Sequence, residues 1–556
     1  MALLLSAVRL FPAQNLVDVP LDGLQLPEPL LLFVIGVVQA VFLGDKLLDL
    51  GLQMMRGLHT PVRAIRRRVF KEVAQLGFKA DADTLLADME AIPYAIVNED
   101  SEKYRESVYR ARAIVRERLR LAMGLSLRPE NKPVHLTAGV EASNISEKYY
   151  EPPLMQVIPS ACESCEENKY EVSNICKGCL AHPCQEVCPK DAISMVNGRS
   201  YIDQEKCIKC GKCKSVCPYD AIAKKERPCQ KACGVNAIKS DKMGRAYNDN
   251  EICVSCGMCR VSCQFGAISD KSQIFQLARA LSEGENVIAE IAPAFVGQFG
   301  DNITPRNIKA ALRELGFSEV YEVALGADIG AIAEAHHYVD KVVTGELPFL
   351  LTSCCPSWSV MAKKFFPDLI DQISQELTPM VATARTIKQK HPEAKVVFIG
   401  PCAAKKLEAS RRSVRSDVDF VVTFEELQAM FDAKEIDLTE YEAESSFHDA
   451  TGAGRGYGCA GGVAEAIEKC INEYYPDVQV NIEHAEGLKE CKKILTLAKA
   501  GKMNGCLIEG MGCPGGCIAG AGTNIPLPKA KKDLAAFVKN SSKSIPPKEL
   551  EEIELD

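Results

Sequence analysis

The sequence predicts an α/β domain over residues 280–525, preceded by a small α+β metal-cluster domain and a mainly helical N-terminal domain. Three observations support this organisation. The 556 residues are enough for three or four domains at about 150 residues each. Of the 25 cysteines, none precedes residue 162 and sixteen lie between residues 162 and 263. Short apolar runs alternating with helical stretches follow residue 280, which is the pattern of a buried parallel sheet.

Composition narrows the function classes. Lys+Arg number 66 against 74 Asp+Glu, a net charge of −8, so there is no basic excess to neutralise nucleic-acid phosphates. The hydrophobic fraction of 47% and the mean hydropathy of −0.05 are globular values and argue against disorder or a multi-span membrane protein. The first residues lack the charged segment and cleavage site of a signal peptide. The cysteines therefore predict metal sites in a reducing cytoplasm rather than disulfides.

Residues 1–160 are predicted to form a mainly helical domain and a linker of unknown function. The longest apolar run, 30–44, is shorter than the roughly 20 residues of a spanning helix, which favours a buried helix or a homodimer interface. Helical spacing at 61–78 and 102–123 is combined with many arginines, typical of solvated helix faces; a basic surface for a membrane or partner is the alternative. Residues 125–160 contain five prolines and predict an extended linker.

Residues 161–270 contain the spacing C-x2-C-x2-C-x3-C twice, at 207–217 and 253–263. Three thiolates of such a loop bind one cubane and the fourth cysteine binds the other cubane of a pair, whereas zinc needs two separated C-x2-C pairs. The pattern resembles that of bacterial two-cluster ferredoxins. It predicts two [4Fe-4S] clusters, one held by Cys207, Cys210, Cys213 and Cys263 and the other by Cys253, Cys256, Cys259 and Cys217.

Eight further cysteines in this block are enough for two more cubanes. The run at 176–188 is similar to the longer-looped motif of polyferredoxin subunits, and the pairs at 162–165 and 229–233 look like its split partner. The same crossover logic predicts two groups: Cys176, Cys179, Cys184 with Cys233, and Cys162, Cys165, Cys229 with Cys188. As an alternative, Cys162 and Cys165 hold a smaller centre or no metal. The block is interpreted as a chain of clusters that passes single electrons.

In the α/β domain, strands are predicted at 287–291, 349–352, 396–399, 420–423 and 506–508, and a helix at 305–315. Three of the strands run directly into cysteine-bearing loops. Because ligands collect at the carboxyl ends of strands in such sheets, these loops are expected to converge on one site. The glycine-rich run at 452–458 does not match a dinucleotide-binding loop and is predicted to be a tight turn near that site. Residues 526–556 are predicted to be a charged tail.

Three motifs in these loops resemble the signature motifs of the [FeFe]-hydrogenases. They are TSCCPSW at 352–358, PCAAKKLE at 401–408 and EGMGCPGGCIAG at 509–520. The resemblance covers roughly residues 285–525, and the cysteine-rich block resembles the accessory ferredoxin-like domain of the same family. It implies an H-cluster between two lobes of the α/β domain, with a cubane bound by Cys355, Cys402, Cys513 and Cys517.

The resemblance also implies roles for individual residues. Cys517 would bridge to a two-iron subsite that carries carbon monoxide, cyanide and an azadithiolate, and that is supplied by dedicated maturation proteins. Lys405 would donate hydrogen bonds to a cyanide, and Met511 would pack beside the two irons. The family's proton relay falls on Cys354, Glu334, Ser374 and His337. The last position usually holds glutamate, but imidazole also exchanges protons near neutral pH.

Other positions depart from the family pattern. Gly400 occupies a position where the family commonly has methionine, Ala294 one where it often has serine, and Gly512 one where it has alanine. A roomier and less hydrogen-bonded pocket is therefore expected round the two irons. These departures indicate one of the less studied branches of the family.

The implied function is reversible reduction of protons to H₂, with electrons delivered by ferredoxin or a similar one-electron carrier through four accessory [4Fe-4S] clusters. A hydrogen sensor with the same cluster and an iron–sulfur assembly homologue without the two-iron site are the alternatives. The presence of Cys354 argues against the sensor, and the complete loop from Cys513 to Cys517 argues against the assembly homologue.

Overall fold

The computed structural model describes residues 57, 60–79, 81–98, 104–447, 450–553 and 555. The apolar run at 30–44, with its predicted helix or dimer interface, lies outside these residues. No helix in the described ranges is long and apolar enough to cross a membrane. The described N-terminal part contains α1 (Pro61–Lys79), α2 (Leu85–Ile96), α3 (Val108–Ala122) and α4 (Val140–Ser143).

The N-terminal helices pack on the α/β domain. Val73 of α1 and Val115 of α3 belong to the same hydrophobic core as Phe275 and Ile288 of the α/β domain. The prediction of a solvated arginine face is wrong for Arg63, Arg118 and Arg120, which are buried. Arg120 donates to the carbonyl oxygens of Leu136 and Ala138 at 2.7 and 2.8 Å. Because these acceptors come from another segment, helical spacing alone does not reveal them.

Residues 125–160 differ from the predicted extended linker. Leu125, Leu136 and Val140 are buried in the main core, and β1 (Met155–Val157) pairs antiparallel with residues 268–270. Prolines restrict the local backbone but leave apolar side chains free to pack. The cluster domain therefore includes residues before 161.

The cysteine-rich block is built from two modules of short hairpins and helices. The first module comprises β2 (Lys169–Val172), α5 (Pro183–Glu186), β3 (Ile193–Val196), β4 (Arg199–Ile202), α6 (Lys212–Ser215) and β5 (Ile222–Lys225). The second comprises β1 with α7 (Pro228–Lys231), β6 (Ile238–Ser240), β7 (Ala246–Asn248), α8 (Met258–Ser262) and β8 (Ile268–Asp270). Strands pair only within a module: β2 with β5 and β3 with β4, then β1 with β8 and β6 with β7.

The α/β domain contains two separate parallel sheets. After α9 (Ile274–Ser282), its elements are β9 (Val287–Ile291), α10 (Pro305–Leu315), β10 (Glu319–Glu322), α11 (Ala324–His337), β11 (Leu350–Leu351), α12 (Pro356–Phe365), α13 (Pro379–Lys390), β12 (Lys395–Gly400), α14 (Ala404–Ala409), β13 (Phe420–Thr423), α15 (Phe424–Ala433), α16 (Gly452–Gly456), α17 (Gly462–Tyr474), β14 (Asn481–Glu486), α18 (Leu488–Lys499), β15 (Cys506–Met511) and α19 (Leu527–Lys539). A π-helical turn spans Tyr338–Val343, and 3-10 turns span Pro159–Ala161, Pro293–Phe295, Pro367–Gln372, Cys517–Ala519 and Lys548–Glu552.

One sheet has the strand order β10-β9-β12-β13 and the other β11-β15-β14. All their pairs are parallel, as the continuous apolar runs predict. The predicted strands agree to within a few residues, and the helix at 305–315 is confirmed. That helix begins where Thr304 accepts from the N–H of Asn307 and ends at Gly316, whose φ of 117° suits a helix terminus.

The C-terminal segment packs on the α/β domain. Ala530 and Leu534 of α19 are buried in the main core, and further on the carbonyl of Lys543 accepts from the N–H of Gly452 at 2.8 Å. On the same helix Lys531, Lys532 and Lys539 are exposed.

Candidate functional site

Both sheets end in cysteine-bearing loops that open into one pocket. Cys354 and Cys355 follow β11, Cys402 follows β12, and Cys513 and Cys517 follow β15, and all five line the pocket. The thiol of Cys517 lies within electrostatic reach of Cys402 and Cys355. The predicted convergence of the three loops is therefore confirmed.

Two signature motifs are brought together by a tryptophan packed on a glycine. The ring of Trp358 is fully buried, and its Nε1 donates to the carbonyl of Thr352 at 2.9 Å. A Cβ added at Gly510 would lie 2.0 Å from the Trp358 ring. Any side chain at residue 510 would push β15 away from α12, so glycine here sets the distance between the loops of Cys355 and Cys513.

The pocket wall contains backbone that leaves no room for side chains. The N–H of Gly512 donates to the sulfur of Cys355 at 3.3 Å, and a Cβ at Gly512 would lie 2.9 Å from the Cβ of Ser357. Gly516 has a φ of 85°, and its Cβ would lie 2.3 Å from the backbone N of Ala460. Such backbone donors and close approaches suit thiolates that hold an iron–sulfur cubane.

The rest of the pocket is apolar and holds one cation. Its lining includes Ala294, Phe398 and Met511. Lys405 is buried among them, within 2.7 Å of a Glu408 carboxylate oxygen, and its Nζ donates to Thr378 at 3.2 Å. A donor set of thiols, an apolar wall and one ammonium group fits the cubane and the anionic diatomic ligands that the motifs imply.

The space expected at Gly400 is occupied. A Cβ at residue 400 would lie 2.5 Å from the Cε1 of Phe398, because residues two apart on a strand share a face. The expectation of a roomier pocket is therefore wrong at this position, since the Phe398 ring fills the volume that glycine vacates.

Two of the predicted relay residues, Glu334 and Ser374, are in contact, and Cys354 lies close to Glu334. Glu334, on α11, is buried and accepts from the N–H of Ser353, beside Cys354, at 3.4 Å. Its carboxyl also accepts a hydrogen bond from Ser374. Burial raises the pKa of Glu334 to about 7, although the two hydrogen bonds lower it. A carboxyl with this pKa can both accept and release a proton near neutral pH.

The outer end of this chain contains a residue that sequence reasoning missed. Nδ1 of His337 lies 3.8 Å from Oε1 of Glu376, and the N–H of Glu376 donates to the Ser374 hydroxyl at 3.3 Å. Glu376 thus lies between Ser374 and His337. In the sequence, only its position two residues after Ser374 could have indicated that Glu376 belongs to the relay, and that spacing is not a motif.

Buried carboxylates near the pocket were also missed. Glu290, in the middle of β9, is fully buried, and among the described residues its two oxygens have no hydrogen-bond donor. Burial raises its pKa well above the usual range, with Lys405 nearby opposing the shift. Asp328 accepts from the N–H of Thr451 at 2.7 Å and of Gly454 at 2.9 Å. A charged residue inside an apolar run, as in VIAEI at 287–291, is the signal that could have identified Glu290.

The first cluster module has its own small core. Cys184 and Cys213 are buried beside Tyr170 and Ile222, and the same cluster packs against Cys188, Cys207 and Cys217. Cys176 and Cys179 lie in the loop before α5, and Cys210 is exposed in the loop before α6.

The second module brings together the remaining cysteines. Burial, followed by the charge of neighbouring Cys263, raises the pKa of the Cys229 thiol to about 12. Cys263 is also a neighbour of Cys165. A second group of cysteines lies nearer the pocket. Cys256 is a neighbour of Cys233, Cys253 and the pocket residue Cys355. Cys259 is also a neighbour of Cys233 and Cys253.

The predicted exchange of fourth ligands between distant motifs is wrong. Cys263 lies with Cys165 and Cys229 in the second module, whereas Cys207 and Cys213 lie in the first. Crossover within each module gives four sets that could each hold a cubane: Cys176, Cys179, Cys184 with Cys217; Cys207, Cys210, Cys213 with Cys188; Cys162, Cys165, Cys229 with Cys263; and Cys253, Cys256, Cys259 with Cys233. Among the described residues, no three Cys, His, Asp or Glu side chains converge as they would on a single metal ion, which a cubane does not require because each thiolate binds a different iron.

These sets predict iron contents that distinguish the two arrangements. Five cubanes and a two-iron subsite amount to about 22 irons per chain. We expect the double variant Cys188→Ser/Cys207→Ser to lose about four irons, because both thiols belong to one set. The matched pair Cys207→Ser/Cys263→Ser should lose about eight. Iron analysis of matured protein checks this, and the reverse order of losses would restore the pairing read from the sequence.

The comparisons with known proteins agree with this site. Residues 285–521 match the family model described as iron only hydrogenase large subunit, C-terminal domain, and residues 176–227 match an LdpA Fe-S cluster-binding domain. The chain is 30% identical over 388 residues to iron hydrogenase 1 of Clostridium pasteurianum, covering 60% of this chain and 67% of that protein.

Other relatives include both hydrogenases and Fe-S cluster assembly factors. The periplasmic [Fe] hydrogenase large subunit of Nitratidesulfovibrio vulgaris is 29% identical over 304 residues, 45% of this chain and 72% of that protein. A cytosolic Fe-S cluster assembly factor, NAR1 of Kluyveromyces lactis, is 38% identical over 105 residues, 19% of this chain and 22% of that protein. Among solved structures, a variant of [FeFe]-hydrogenase HydA1 from Chlamydomonas reinhardtii is 24% identical with a TM-score of 0.40, covering 47% of this chain and 86% of that one. With the converging cysteine loops and the match over most of the clostridial hydrogenase, the chain belongs to the iron-only, or [FeFe]-, hydrogenase family.

Proposed function

We propose that the protein catalyses the reversible reduction of protons to H₂ at an H-cluster held by Cys355, Cys402, Cys513 and Cys517. The observation that carries this proposal is the position of Cys354 in the thiol-lined pocket, close to the buried Glu334 carboxyl, which is hydrogen-bonded to Ser353 and Ser374. Neither a storage site nor an assembly scaffold needs a line of proton-exchanging groups. When bound, the cofactor supplies the redox chemistry that joins two protons and two electrons.

The chain's own residues move protons and exclude water. The Cys354 thiol faces the pocket and would exchange a proton with a base inside it. The Glu334 carboxyl, hydrogen-bonded to the Ser353 N–H and to Ser374, would pass that proton on. The apolar wall formed by Phe398, Ala294 and Met511 keeps water from the reacting centre.

Electrons would enter through the sixteen cysteines of the two modules, as four [4Fe-4S] clusters serving a ferredoxin or a similar carrier. The second module lies against the pocket, because Cys256 is a neighbour of Cys355. We further propose a reducing cytoplasm as the compartment and dedicated maturation proteins as the source of the two-iron subsite.

An infrared spectrum of matured protein tests the function. Bands of metal-bound carbon monoxide and cyanide, together with H₂ production from a reduced dye, are expected. An assembly role, which the NAR1 relatives suggest as the second candidate, predicts neither. Bands with very low turnover would instead indicate a hydrogen sensor.

The outer relay predicts a change in pH dependence for His337→Gln. If His337 and Glu376 exchange protons with solvent, removing the imidazole takes one proton-exchanging group from the relay and alters the shape of the pH profile of activity. The control is His391→Gln, a partly exposed histidine near Glu319. The measurement is H₂ turnover from pH 5 to 9. An equal loss of turnover at every pH, or no loss, would show that His337 is not part of the relay.

A further inference from the structure

One loop of the first module exposes a cysteine at the protein surface. Of the 25 cysteines, all within the described ranges, only Cys210 is exposed. It lies between Cys207 and Cys213, in one of the four sets that could hold a cubane. Because electron tunnelling weakens steeply with distance, an exposed ligand marks the point where an outside donor comes nearest to that set.

The first module is also the outer end of the cysteine chain. Five of its cysteines pack in its own small core, which includes Tyr170 and Ile222. Those of the second module pack with Trp358 and Leu488 of the α/β domain, and Lys364 donates to the carbonyl of Cys253 at 2.9 Å. An electron that enters at the first module would therefore pass through the second module on its way to the pocket.

The surface round Cys210 combines positive charge with an exposed apolar side chain. Lys209, Lys212 and Lys214 are exposed, and none has an ion-pair partner among the described residues. Ile208, next to them in the same loop, is 55% exposed. The chain as a whole carries a net charge of −8, so this basic patch is a local exception. An apolar centre with a charged rim is typical of a protein-docking surface, and the sign of the rim selects the partner.

We propose that the Cys210 face, formed by Ile208, Lys209, Cys210, Lys212 and Lys214, binds a small acidic protein that carries one electron at a time. The reduced carrier would give one electron to the centre held by Cys207, Cys210, Cys213 and Cys188 and leave in its oxidised form. This inference rests on the proposed function and adds the place and the charge of the partner.

The test measures carrier binding separately from turnover. A small acidic bacterial ferredoxin is titrated by calorimetry into protein that carries its cubanes. We expect Lys209→Glu/Lys212→Glu/Lys214→Glu to raise Kd at least about tenfold at low salt and to abolish the weakening caused by salt, because opposite charges steer such encounters. The Kd of the neutral variant Lys209→Gln/Lys212→Gln/Lys214→Gln should lie between those of the unmodified protein and the glutamate variant. This variant tests the docking site even if the reversal of charge disturbs folding.

A matched control carries the same change of charge elsewhere. Lys242, Lys502 and Lys532 are exposed, and their triple replacement by glutamate should change Kd by less than about twofold. Equal weakening by both triple variants, or unchanged binding by the loop variant, overturns the docking site. Absence of dye-driven H₂ production in the unmodified protein would instead overturn the proposed function, while the calorimetry would still decide the docking site.

Discussion

Replacing Cys354 by serine is expected to lower H₂ turnover at least about 100-fold, the usual contribution of a positioned acid–base group. Cys354 lines the pocket beside Cys355, and Glu334, hydrogen-bonded to the neighbouring Ser353, lies behind it. Serine has nearly the same size, but an alcohol is much less acidic than a thiol, so proton transfer slows while the pocket keeps its shape.

Infrared bands of carbon monoxide and cyanide should persist in this variant, because Cys354 is not assigned to iron. Cys506→Ser is the control, since Cys506 begins β15 at the far end from the pocket, and its turnover should match the unmodified protein. Loss of the bands in Cys354→Ser would show that residue 354 is an iron ligand and that the assignment of the two adjacent cysteines must be exchanged.

Glu425→Gln is expected to lower the free energy of unfolding by about 3–5 kcal/mol, the cost of breaking a buried ion pair. The Glu425 carboxylate lies 2.8 Å from Arg66 and 2.5 Å from Arg260, and its side chain is 1% exposed. Glutamine keeps the shape but leaves the Arg66 guanidinium without its counter-charge, while Arg260 keeps only the Asp270 carboxylate at 3.0 Å. The variant should weaken the packing between α1, the second module and α15, because Arg66 lies on α1, Arg260 in the second module and Glu425 on α15.

The pH dependence follows from the pKa of this carboxyl. Its buried environment raises the pKa, but Arg66, Arg260 and Arg63 more than offset this and hold it at about 2, against about 4.3 in an unfolded chain. The stabilisation is therefore fully present above about pH 4.3 and is lost as the pH falls toward about 2.

Urea unfolding at pH 7 and at pH 3 checks both parts of this prediction. The difference between Glu425→Gln and the unmodified protein should be large at pH 7 and smaller at pH 3. Glu440→Gln, an exposed position, should change little at either pH. A difference that grows as the pH falls would contradict the assigned ion pairs.

Much of the site could be predicted from sequence because its signals are local. The strand at 396–399 and the cysteine that follows it at residue 402 are contiguous, so recognising the strand also placed the ligand at the edge of the sheet. The same holds for the strand from residue 506 and for Cys513. Three cysteines with two residues between each pair must lie in one loop, because the length of the covalent chain between them is short.

Predictions that joined distant segments were less successful. Each fourth cysteine was assigned to the wrong module, because spacing says that the ligand comes from elsewhere without saying from where. Arg63, Arg118 and Arg120 were expected in solvent because a helical pattern does not show the carbonyls and carboxylates that other segments bring. Glu376 was missed because its contact with His337 joins two elements that are 39 positions apart in the sequence.

The sequence by itself determined which loops carry thiols, where the parallel strands run and which chemistry the pocket can support, since each depends on residues close together in the chain. Only the tertiary structure decided which cysteines share a module, that Phe398 fills the space at Gly400, and that Glu425 holds cations from two other parts of the chain. The physical reason is that side-chain packing and buried charge pairing depend on distances in space, which are set by the folding of the whole chain.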